Sequence, residues 1–396
     1  MTKRATAQVL LGDREVGLLT NQSGRVSFAY TDRSSDRPVL GLRFEYEPLA
    51  RRKGLGGGVP TWFSNLLPEK ESGLRRMIMA ELGVKRISDF TLLCHLGEDL
   101  PGAVRVRSDG ARLDETTMDE TMVLPVPGKL SFSLSGMQVK LSMARNGEDF
   151  VYQGVGGDWI VKFPSSGLAS LPENENAIMT WLSLAGIDVP EHRLVTPADL
   201  KNLPGALIAP GEHAFAIKRF DREAGARIHQ EDFAQIFDLL PHEKERGKAE
   251  DIALLIQREC PQDLTEYVRR VAACVVVGNT DEHMKNWSLR YPDGRTRRLS
   301  PAYDIVCVTA YERFRSDTLT LPLNGQTDTR HVTLDHFRGF ADAAGANPEA
   351  VADAARASVA ALAETWPEVL ANCPVPDFVA SHIKSRLRTL PLLRQA

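Results

Sequence analysis

Short runs of alternating apolar and polar residues dominate the first part of the chain and predict β-strands. Four such runs occur before residue 47, namely TAQVLLG, REVGLLT, RVSFAYT and LGLRFEY. Two segments with helical spacing follow them, at 62–83 and 87–97. We therefore expect a β-rich first domain that spans residues 1–108.

The next part of the chain begins with a polar stretch, 109–127, whose composition is typical of a linker. Residues 129–143 alternate, turn at a glycine and alternate again, which predicts a β-hairpin. Strands are also predicted at DWIVKFP and HAFAIK, and the helix between them begins near Pro172 and stops near Gly186. These elements form a second predicted domain, 109–222.

From about residue 230 onward, apolar residues recur at helical spacing. The predicted helices are HQEDFAQIFDL, AEDIALLIQREC, LTEYVRRVAACVVVG, LDHFRGFADAAG, NPEAVADAARASVAALAETW and VPDFVASHIKSRLRTL. The pairs Asn347-Pro348 and Pro376-Asp377 are start signals for the last two. The third predicted domain, 223–396, is therefore mostly helical, and the fold class of the whole chain is predicted to be α+β.

One stretch of this helical part, 279–304, carries the most informative polar residues. It contains Asp281, Asn286 five positions later, and Asp304 after a predicted strand, turn and strand. The spacing of Asp281 and Asn286 is that of the kinase catalytic loop. Carboxylate and amide oxygens are also ligands that Mg²⁺ prefers. The stretch therefore predicts phosphoryl transfer, in which one carboxylate orients the attacking hydroxyl and the other two side chains hold the metal.

Three upstream features suit a nucleotide site. Lys162 ends a predicted strand, and Glu175 lies early in the next helix, so the two can form the ion pair that orients a kinase lysine. The tip of the predicted hairpin carries Ser133 and Ser135, hydroxyls that can accept a phosphoryl group. The strand that ends at 218–222 has the position of a segment joining two lobes. Ordinary interpretations stay open for all three, namely a surface lysine with a helix-start acid, a plain hairpin and an edge strand.

Composition narrows the class of protein. The chain has 396 residues, 43% of them hydrophobic and 25% charged, and a net charge of −4. We expect a soluble protein of two or three domains, not a general nucleic-acid binder. The basic clusters, which include 295–298 and 384–388, are expected to be solvated surfaces. The five cysteines form no C-x-x-C pair, no membrane span is predicted and no signal peptide is apparent, so a cytoplasmic location is expected.

Taken together, the motifs resemble the HipA-like toxin kinases of bacterial toxin–antitoxin systems. The resemblance rests on WFSNLLPEKE at 62–71, SLSGMQVK at 133–140, VKFP at 161–164, ENE at 173–175, KRFDRE at 218–223, NTDEHMKN at 279–286 and SPAYD at 300–304. It implies a two-lobed protein-kinase-like fold with a β-rich N-terminal subdomain, an N-lobe within 109–222 and a mostly helical C-terminal lobe. It also implies a serine/threonine kinase that uses ATP and Mg²⁺.

The resemblance implies a role for each matching residue. Asp281 is the catalytic residue, Asn286 and Asp304 bind the metal, and Ser133, with Ser135 as a further site, is autophosphorylated. The residues implied to bind the nucleotide are Ser135, Gly136, Met137, Gln138, Lys140, Lys162, Glu175, Lys218, Arg219, Phe220, His283, Lys285, Asn286, Tyr303 and Asp304. The linker departs from a known relative, which has an acidic residue where this chain has Lys218; backbone contacts to adenine are expected to survive.

The resemblance also implies partners. These are a small helix-turn-helix antitoxin of the HipB kind, operator DNA only through that antitoxin, and a protein substrate, for which an aminoacyl-tRNA synthetase is the candidate. Phosphorylation of such an enzyme would inhibit translation and growth. Three other functions stay open on the residues alone. They are a small-molecule or lipid kinase, a kinase-fold co-repressor that acts with a DNA-binding antitoxin, and an unrelated hydrolase with a metal loop.

Overall fold

The computed structural model of the protein describes residues 4–46, 52–53, 58–108, 138–154 and 156–395. The strands are β1 (Arg4–Leu11), β2 (Arg14–Gln22), β3 (Arg25–Tyr30), β4 (Arg52–Lys53), β5 (Val104–Arg107), β6 (Lys140–Asn146), β7 (Asp149–Val151), β8 (Trp159–Lys162), β9 (His192–Val195), β10 (Leu200–Lys201), β11 (Ala214–Lys218), β12 (Arg222–Glu223), β13 (Ala226–Arg227), β14 (His229–Asp232), β15 (Ser288–Tyr291), β16 (Arg298–Leu299), β17 (Thr318–Leu323) and β18 (Gln326–Asp328). The helices are α1 (Leu42–Tyr46), α2 (Thr61–Ser64), α3 (Gly73–Glu81), α4 (Asp89–Leu96), α5 (Leu171–Leu184), α6 (Phe233–Ile236), α7 (Ala249–Glu259), α8 (Leu264–Val277), α9 (Leu334–Ala344), α10 (Pro348–Asn372), α11 (Asp377–Thr389) and α12 (Pro391–Arg394). Within these described ranges, no helix combines the length and the apolar character that crossing a lipid bilayer requires.

The N-terminal strands form a five-stranded antiparallel sheet in the order β4-β3-β2-β1-β5. Alternate residues of these strands, among them Val9, Leu19 and Phe28, are buried in one core with Phe63 of α2 and Leu93 of α4. Alternation in the sequence predicts strands with one buried face, and β1 to β3 have this arrangement.

Two segments of this part differ from the sequence prediction. Residues 40–46 were predicted as a strand but form α1 from Leu42 on, because the amide of Leu42 donates to the distant buried carboxylate of Glu231 at 2.7 Å. The predicted helix 62–83 is two helices, α2 and α3. Pro68 lies between them, and a proline neither continues a helical hydrogen-bond ladder nor favours helical geometry before it.

A second sheet has six strands in the order β10-β7-β6-β8-β11-β9 and is antiparallel apart from the β10–β7 pair. In its β6–β8 register, Lys140 lies directly opposite Lys162. Of the predicted hairpin 129–143, only the end from residue 138 is described, and the predicted linker 109–127 lies outside the described residues. The sheet therefore places two lysines side by side, an arrangement that needs a nearby anion.

Helix α5 joins the second sheet to the C-terminal helices. Its Trp181 is fully buried, and the ring centroid lies 4.6 Å from that of Trp366 on α10. The indole nitrogen of Trp181 donates to the carbonyl of Leu362 at 2.8 Å. Phe215 of β11 belongs to the same large core. Glu175, which α5 also carries, is consequently held on a helix that is anchored on both sides.

The predicted hairpin that follows the polar loop, residues 279–286, is present as β15 and β16, with β14 as a third strand. The segment 229–232 was predicted as helical, but it pairs with β15, and the helix α6 starts only after it. Beyond β16 the chain returns to Asp304, whose φ of 61° is in the left-handed region that Asp tolerates better than most residues. The hairpin thus brings Asp304 back beside the loop.

The N-terminal part docks on the C-terminal part through a buried carboxylate. Glu231 of β14 accepts hydrogen bonds from the indole nitrogen of Trp62 at 3.0 Å, from the amide of Leu42 at 2.7 Å and from the hydroxyl of Tyr291. Burial raises the pKa of Glu231 to about 7, and these three donors oppose the rise. The neighbouring His229 bonds the carbonyl of Leu40 at 2.8 Å. Polar contacts that are far apart in sequence therefore fix the N-terminal sheet beside the loop region.

Candidate active site

Four charged side chains from four different elements meet at one end of a cleft. The Lys162 ammonium at the end of β8 contacts the Glu175 carboxylate of α5 and lies 2.5 Å from Oδ1 of Asp304. The Lys140 ammonium lies 3.1 Å from Oδ2 of Asp304. Two ammonium groups and two carboxylates thus form a cluster of zero net charge, which explains why the facing lysines are tolerated.

Electrostatics keeps Lys162 and Asp304 ionised, whereas burial raises the pKa of Glu175. Burial by itself lowers the pKa of Lys162, which is only 4% exposed, but attraction from Asp304 and Glu175 outweighs burial and raises it. Burial likewise acts to raise the pKa of Asp304, and the charges of Lys140 and Lys162 reverse this and hold it far below its ordinary value. Asp304 is therefore an anion throughout the physiological pH range, as a metal ligand needs to be.

The polar loop is held by contacts at its first residues. Helix α8 ends at Gly278 with a φ of 77°, and a Cβ there would lie 2.1 Å from Oγ1 of Thr309. The side-chain amide of Asn279 donates to the carboxylate of Glu282 at 2.5 Å. The carbonyl of Thr280 accepts from both the amide and the hydroxyl of Thr320, at 3.2 and 2.7 Å. Asp281 is therefore preceded by a firmly anchored backbone.

Asp281 and Asn286 close the loop on itself. The side-chain nitrogen of Asn286 donates to the carbonyl of Asp281 at 3.2 Å, so its oxygen remains available to a ligand. Asp281 is exposed to solvent, yet surrounding protein raises the pKa of its carboxyl; Lys244 opposes this rise and Asp304 adds to it. Such a carboxylate can orient a hydroxyl and accept its proton.

The buried His283 has a neutral ring near pH 7. Burial and the positive charge of Lys244 lower the pKa of His283 to about 4. Its Nδ1 is buried and has no hydrogen-bond partner among the residues that the structure describes. The ring can accept or donate a hydrogen bond here but does not carry a positive charge.

Lys285 and Tyr303 have structural contacts in addition to their places in the cleft wall. The Lys285 ammonium donates to the carbonyl of Asn65 at 3.1 Å, and so reaches the N-terminal part instead of the Asp304 cluster. The Tyr303 hydroxyl bonds the carbonyl of Lys285 at 2.9 Å and the hydroxyl of Ser288 at 2.6 Å. Its ring lies 5.4 Å from that of Phe220.

The linker between the two lobes, residues 218–222, makes mainly intramolecular contacts. The amides of Lys218 and Arg219 donate to the carbonyls of Glu191 and Asp158, each at 2.8 Å. The buried Arg219 guanidinium binds both oxygens of Asp221, at 2.9 and 2.8 Å. These two amides are therefore engaged within the protein and are not free for adenine. The amide of Phe220 has no such partner in the described part of the chain.

A cavity of about 320 Å³ extends from the linker to Asp304. The predicted residues in its wall are Lys140, Lys162, Lys218, Arg219, Phe220, Lys285, Tyr303 and Asp304. Glu175, Asp281, His283 and Asn286 are near this set through the contacts and charges given above but are not part of the wall, and neither is Gln138. The predictions for Ser133, Ser135, Gly136 and Met137 lie outside the described residues.

Sequence reasoning missed several residues of the cavity wall. Asn65, Leu66 and Pro101 come from the N-terminal part, and Gln230 and Asp232 come from β14. These positions lie far from the predicted loop in sequence, and 229–232 was assigned to a helix. The motif WFSNLLPEKE contains Asn65, but its residues give no chemical reason to place that side chain in the cavity wall.

Comparisons with known proteins agree with this architecture. The family described as "HipA N-terminal domain" matches residues 7–107, and the family described as "HipA-like C-terminal domain" matches residues 132–366. A protein of Sinorhizobium fredii named "Putative kinase Y4dM" is 36% identical over 100% of this chain and 99% of its own. The "Serine/threonine-protein kinase toxin HipA" of Shewanella oneidensis is 26% identical over 87% of this chain and 84% of its own.

Among solved structures, the complex of HipA, HipB and operator DNA from Shewanella oneidensis contains a chain that superposes with a TM-score of 0.74. That superposition covers 98% of each chain at 20% sequence identity, so it establishes a shared fold. The two-lobed, kinase-like α+β fold with a β-rich N-terminal subdomain, expected from the sequence, is confirmed. Two family models match this chain, and one relative is 36% identical to it over 99% of that relative's length. The chain therefore belongs to the HipA family.

Proposed function

We propose that this protein is an ATP-dependent serine/threonine protein kinase that acts as the toxin of a type II toxin–antitoxin system. The observation that carries the proposal is the meeting of Lys162, Glu175 and Asp304 at the end of a cleft, beside a loop that presents Asp281 and Asn286. A buried lysine with two carboxylates and an adjacent D-x-x-x-x-N loop is the set that phosphoryl transfer to a hydroxyl uses. Relatives named as kinases support the proposal.

The donor set fits Mg²⁺. Asn286 keeps its side-chain oxygen free because its nitrogen is bound to the carbonyl of Asp281, and Asp304 stays anionic. In the described residues there is no cluster of three or more His, Cys, Asp or Glu arranged around a metal. Mg²⁺ needs no such cage, because it usually keeps waters and binds one or two protein groups together with substrate phosphates. When bound here, the metal would neutralise charge on the phosphates.

The protein side of the reaction follows from these positions. Lys140 and Lys162 attract the phosphates of ATP, and Glu175 holds Lys162 in place. Asp281 orients a serine or threonine hydroxyl and accepts its proton. The hydroxyl oxygen forms the new bond to the γ-phosphorus while the bond to the β–γ bridging oxygen breaks, and ADP leaves. Positioning and electrostatics account for most of the rate enhancement in such transfers.

A transfer assay tests this function. We expect the protein with ATP labelled at the γ-phosphate to become labelled itself, and Asp281→Asn to reduce labelling by about 10²- to 10⁴-fold because the hydroxyl loses its base. Asp342→Asn, the same change at an exposed site on α9, is the matched control and should leave labelling unchanged. Full labelling of Asp281→Asn would contradict the assignment.

The same labelled material can identify the acceptor. We propose Ser133 as the site of autophosphorylation, with Ser135 as a further site. A phosphate adds about −1.5 to −2 charge, which repels nucleotide and would switch the enzyme off. Peptide mass spectrometry locates the label, and release of free phosphate without any protein label would favour a hydrolase instead.

The proposed partners follow the family. A small DNA-binding antitoxin of the HipB kind would bind this chain and bring it to operator DNA, a proposal supported by the fold shared with a chain of the Shewanella complex of HipA, HipB and operator DNA. The proposed protein substrate is an aminoacyl-tRNA synthetase, whose inactivation would stop translation in the cytoplasm. Antitoxin binding without any ATP-dependent labelling would favour the co-repressor alternative. Labelling of a metabolite or lipid instead of protein would favour a small-molecule or lipid kinase.

A further inference from the structure

One buried carboxylate beside the proposed catalytic residue has no part in the mechanism above. Glu282 directly follows Asp281, yet only 7% of it is exposed, whereas Asp281 is exposed to solvent. Oε2 of Glu282 accepts a hydrogen bond from the side-chain nitrogen of Asn279 at 2.5 Å, and the thiol of Cys274 donates to the same oxygen at 3.6 Å. The two neighbours in the chain therefore have opposite environments, and the buried one is bonded within the protein.

These bonds join the polar loop to the last turn of α8. The side-chain nitrogen of Asn279 also donates to Sγ of Cys274 at 3.8 Å, and the backbone amide of Asn279 donates to the carbonyl of Cys274 at 3.0 Å. The residue before Asp281 is held separately, because the carbonyl of Thr280 accepts from the hydroxyl of Thr320 on β17 at 2.7 Å. The residues on both sides of Asp281 are thus fixed, one to β17 and the other to α8.

The surroundings of Glu282 favour its uncharged acid form. Burial raises the pKa of Glu282 well above its ordinary range, and the negative charges of Asp304 and Asp281 add to the rise. The hydrogen bond from Cys274 and the positive charge of Arg270 oppose the rise without reversing it. A third negative charge beside two carboxylates would also repel a phosphate group. Glu282 therefore contributes hydrogen bonds to the site instead of a charge.

We propose that Glu282 is a positioning residue, which holds the backbone of the polar loop so that Asp281 is directed at the acceptor hydroxyl. The hydrogen bonds that Glu282 accepts from Asn279 and Cys274 provide this hold, and a negative charge on Glu282 has no part in it. The inference rests on the proposed function, in which Asp281 accepts the proton of that hydroxyl. Catalytic groups need support of this kind, because a displacement of about 1 Å can reduce the rate about 10²-fold.

Self-labelling of the full chain with γ-labelled Mg·ATP tests the inference through the maximal rate and the ATP concentration that gives half of that rate. Glu282→Gln keeps the length and the hydrogen-bonding groups of the uncharged acid, so its maximal rate should stay within about threefold of the wild type. Glu282→Asp withdraws the carboxyl by one methylene and Glu282→Leu removes it, and both should lose about 10- to 10²-fold in maximal rate. The ATP concentration for half the maximal rate should be unchanged in all these variants, because Glu282 does not line the cavity.

Glu250 of α7 provides the matched control. It is also a buried glutamate, only 4% exposed, but its carboxylate accepts from the amide of Asn324, in the turn between β17 and β18, at 2.6 Å. Glu250→Gln and Glu250→Leu should therefore keep the wild-type maximal rate. Thermal unfolding of every variant is measured alongside, and the conclusion depends on Glu282→Gln and Glu282→Asp if Glu282→Leu is unfolded.

A wild-type maximal rate in Glu282→Leu or Glu282→Asp would overturn the inference. An equal loss in Glu282→Gln and Glu282→Leu would overturn it as well, because it would show that the charge of Glu282 is required. A change confined to the ATP concentration for half the maximal rate would indicate a role in binding and would also overturn it. These outcomes leave the kinase proposal intact, whereas a wild type that acquires no label would contradict the proposed function itself.

Discussion

At the scale of single residues, the facing lysines explain most about the site. Lys140 and Lys162 are opposite one another on neighbouring strands, a pairing that repels unless an anion separates the charges. Asp304 supplies that anion from the far side of the polar loop, a position remote from both lysines in sequence. A strand lysine could be recognised from the sequence, but the need for its partner could not, because strand register is a property of the folded sheet.

Asp304→Asn should therefore destabilise the protein in the absence of nucleotide. We expect a loss of about 1–3 kcal/mol in the free energy of unfolding at pH 7, since both lysines lose a charged partner. The pKa of Asp304 is lower in the folded chain than its ordinary value of about 3.9. Its stabilising effect is accordingly complete above about pH 4 and is lost as the pH falls below that value.

Urea unfolding at about pH 7 and about pH 3, on either side of the ordinary pKa of an aspartate, measures this effect. The difference between wild type and Asp304→Asn should be smaller at the lower pH, and Asp342→Asn should show no such pH-dependent difference. A difference of equal size at both pH values would mean that Asp304 acts through something other than its charge.

At the scale of elements, helix α8 and the loop after it show where a sequence pattern is sufficient. The helix was predicted to end near Gly278, and it does, because a left-handed residue at this position allows the chain to turn away. The hairpin that follows was predicted from alternation and a turn signal and is present as β15 and β16. Interactions between residues that are close along the chain decide such features, so they can be predicted from a single sequence.

The end of α8 also depends on a residue that sequence reasoning misplaced. The cluster 384–388 was expected to be solvated, but Arg386 of α11 is only 4% exposed. Its guanidinium donates to the carbonyls of Val275 and Val276, at 2.6 and 3.0 Å, which the helix end leaves without internal partners. It also lies 2.5 Å from Asp317, which precedes β17. Arg386 thus links the end of α8, immediately before the polar loop, to the segment that precedes β17.

Arg386→Met should be strongly destabilising. Methionine can fill the space of the side-chain stem, but two carbonyls would be buried without donors and the Asp317 carboxylate would lose its buried charged partner, at a cost of about 3–5 kcal/mol. Urea unfolding measures the loss, and Arg388→Met, which alters an exposed arginine of the same helix, should change stability by no more than about 0.5 kcal/mol. Similar values for the two variants would show that Arg386 is a surface residue in solution.

At the scale of the whole molecule, ion pairs connect the N-terminal subdomain to the linker at 218–222. Oδ1 of Asp99, which lies before β5, is 3.3 Å from the guanidinium groups of both Arg219 and Arg222. Its other oxygen accepts from the amide of Gly156 at 3.0 Å. The subdomain therefore sets the position of the linker as well as a wall of the cavity. The boundaries 1–108, 109–222 and 223–396 themselves stay a prediction.

Asp99→Asn tests this fastening. The change keeps the shape of the side chain and removes its charge, so we expect a loss of about 1–3 kcal/mol in the free energy of unfolding and weaker binding of Mg·ATP. Asp13→Asn removes an exposed carboxylate of the same subdomain, which pairs with Arg105, and should leave nucleotide binding unchanged. If Asp99→Asn binds Mg·ATP with wild-type affinity, the contact between the N-terminal subdomain and the linker does not influence nucleotide binding.

The sequence by itself determined strands β1 to β3 of the N-terminal sheet, the start and stop of α8, the kinase-like loop and the family resemblance. These depend on periodicity, turn chemistry and short motifs, which act between residues that are close along the chain. It failed at residues 40–46, 62–83 and 229–232, where a distant carboxylate, a proline or a partner strand overrides local preference. Only the tertiary structure decided which residues line the cavity and which arginine holds the end of α8. Those roles arise from burial and from pairing between segments that are distant in sequence, so patterns of neighbouring residues do not predict them.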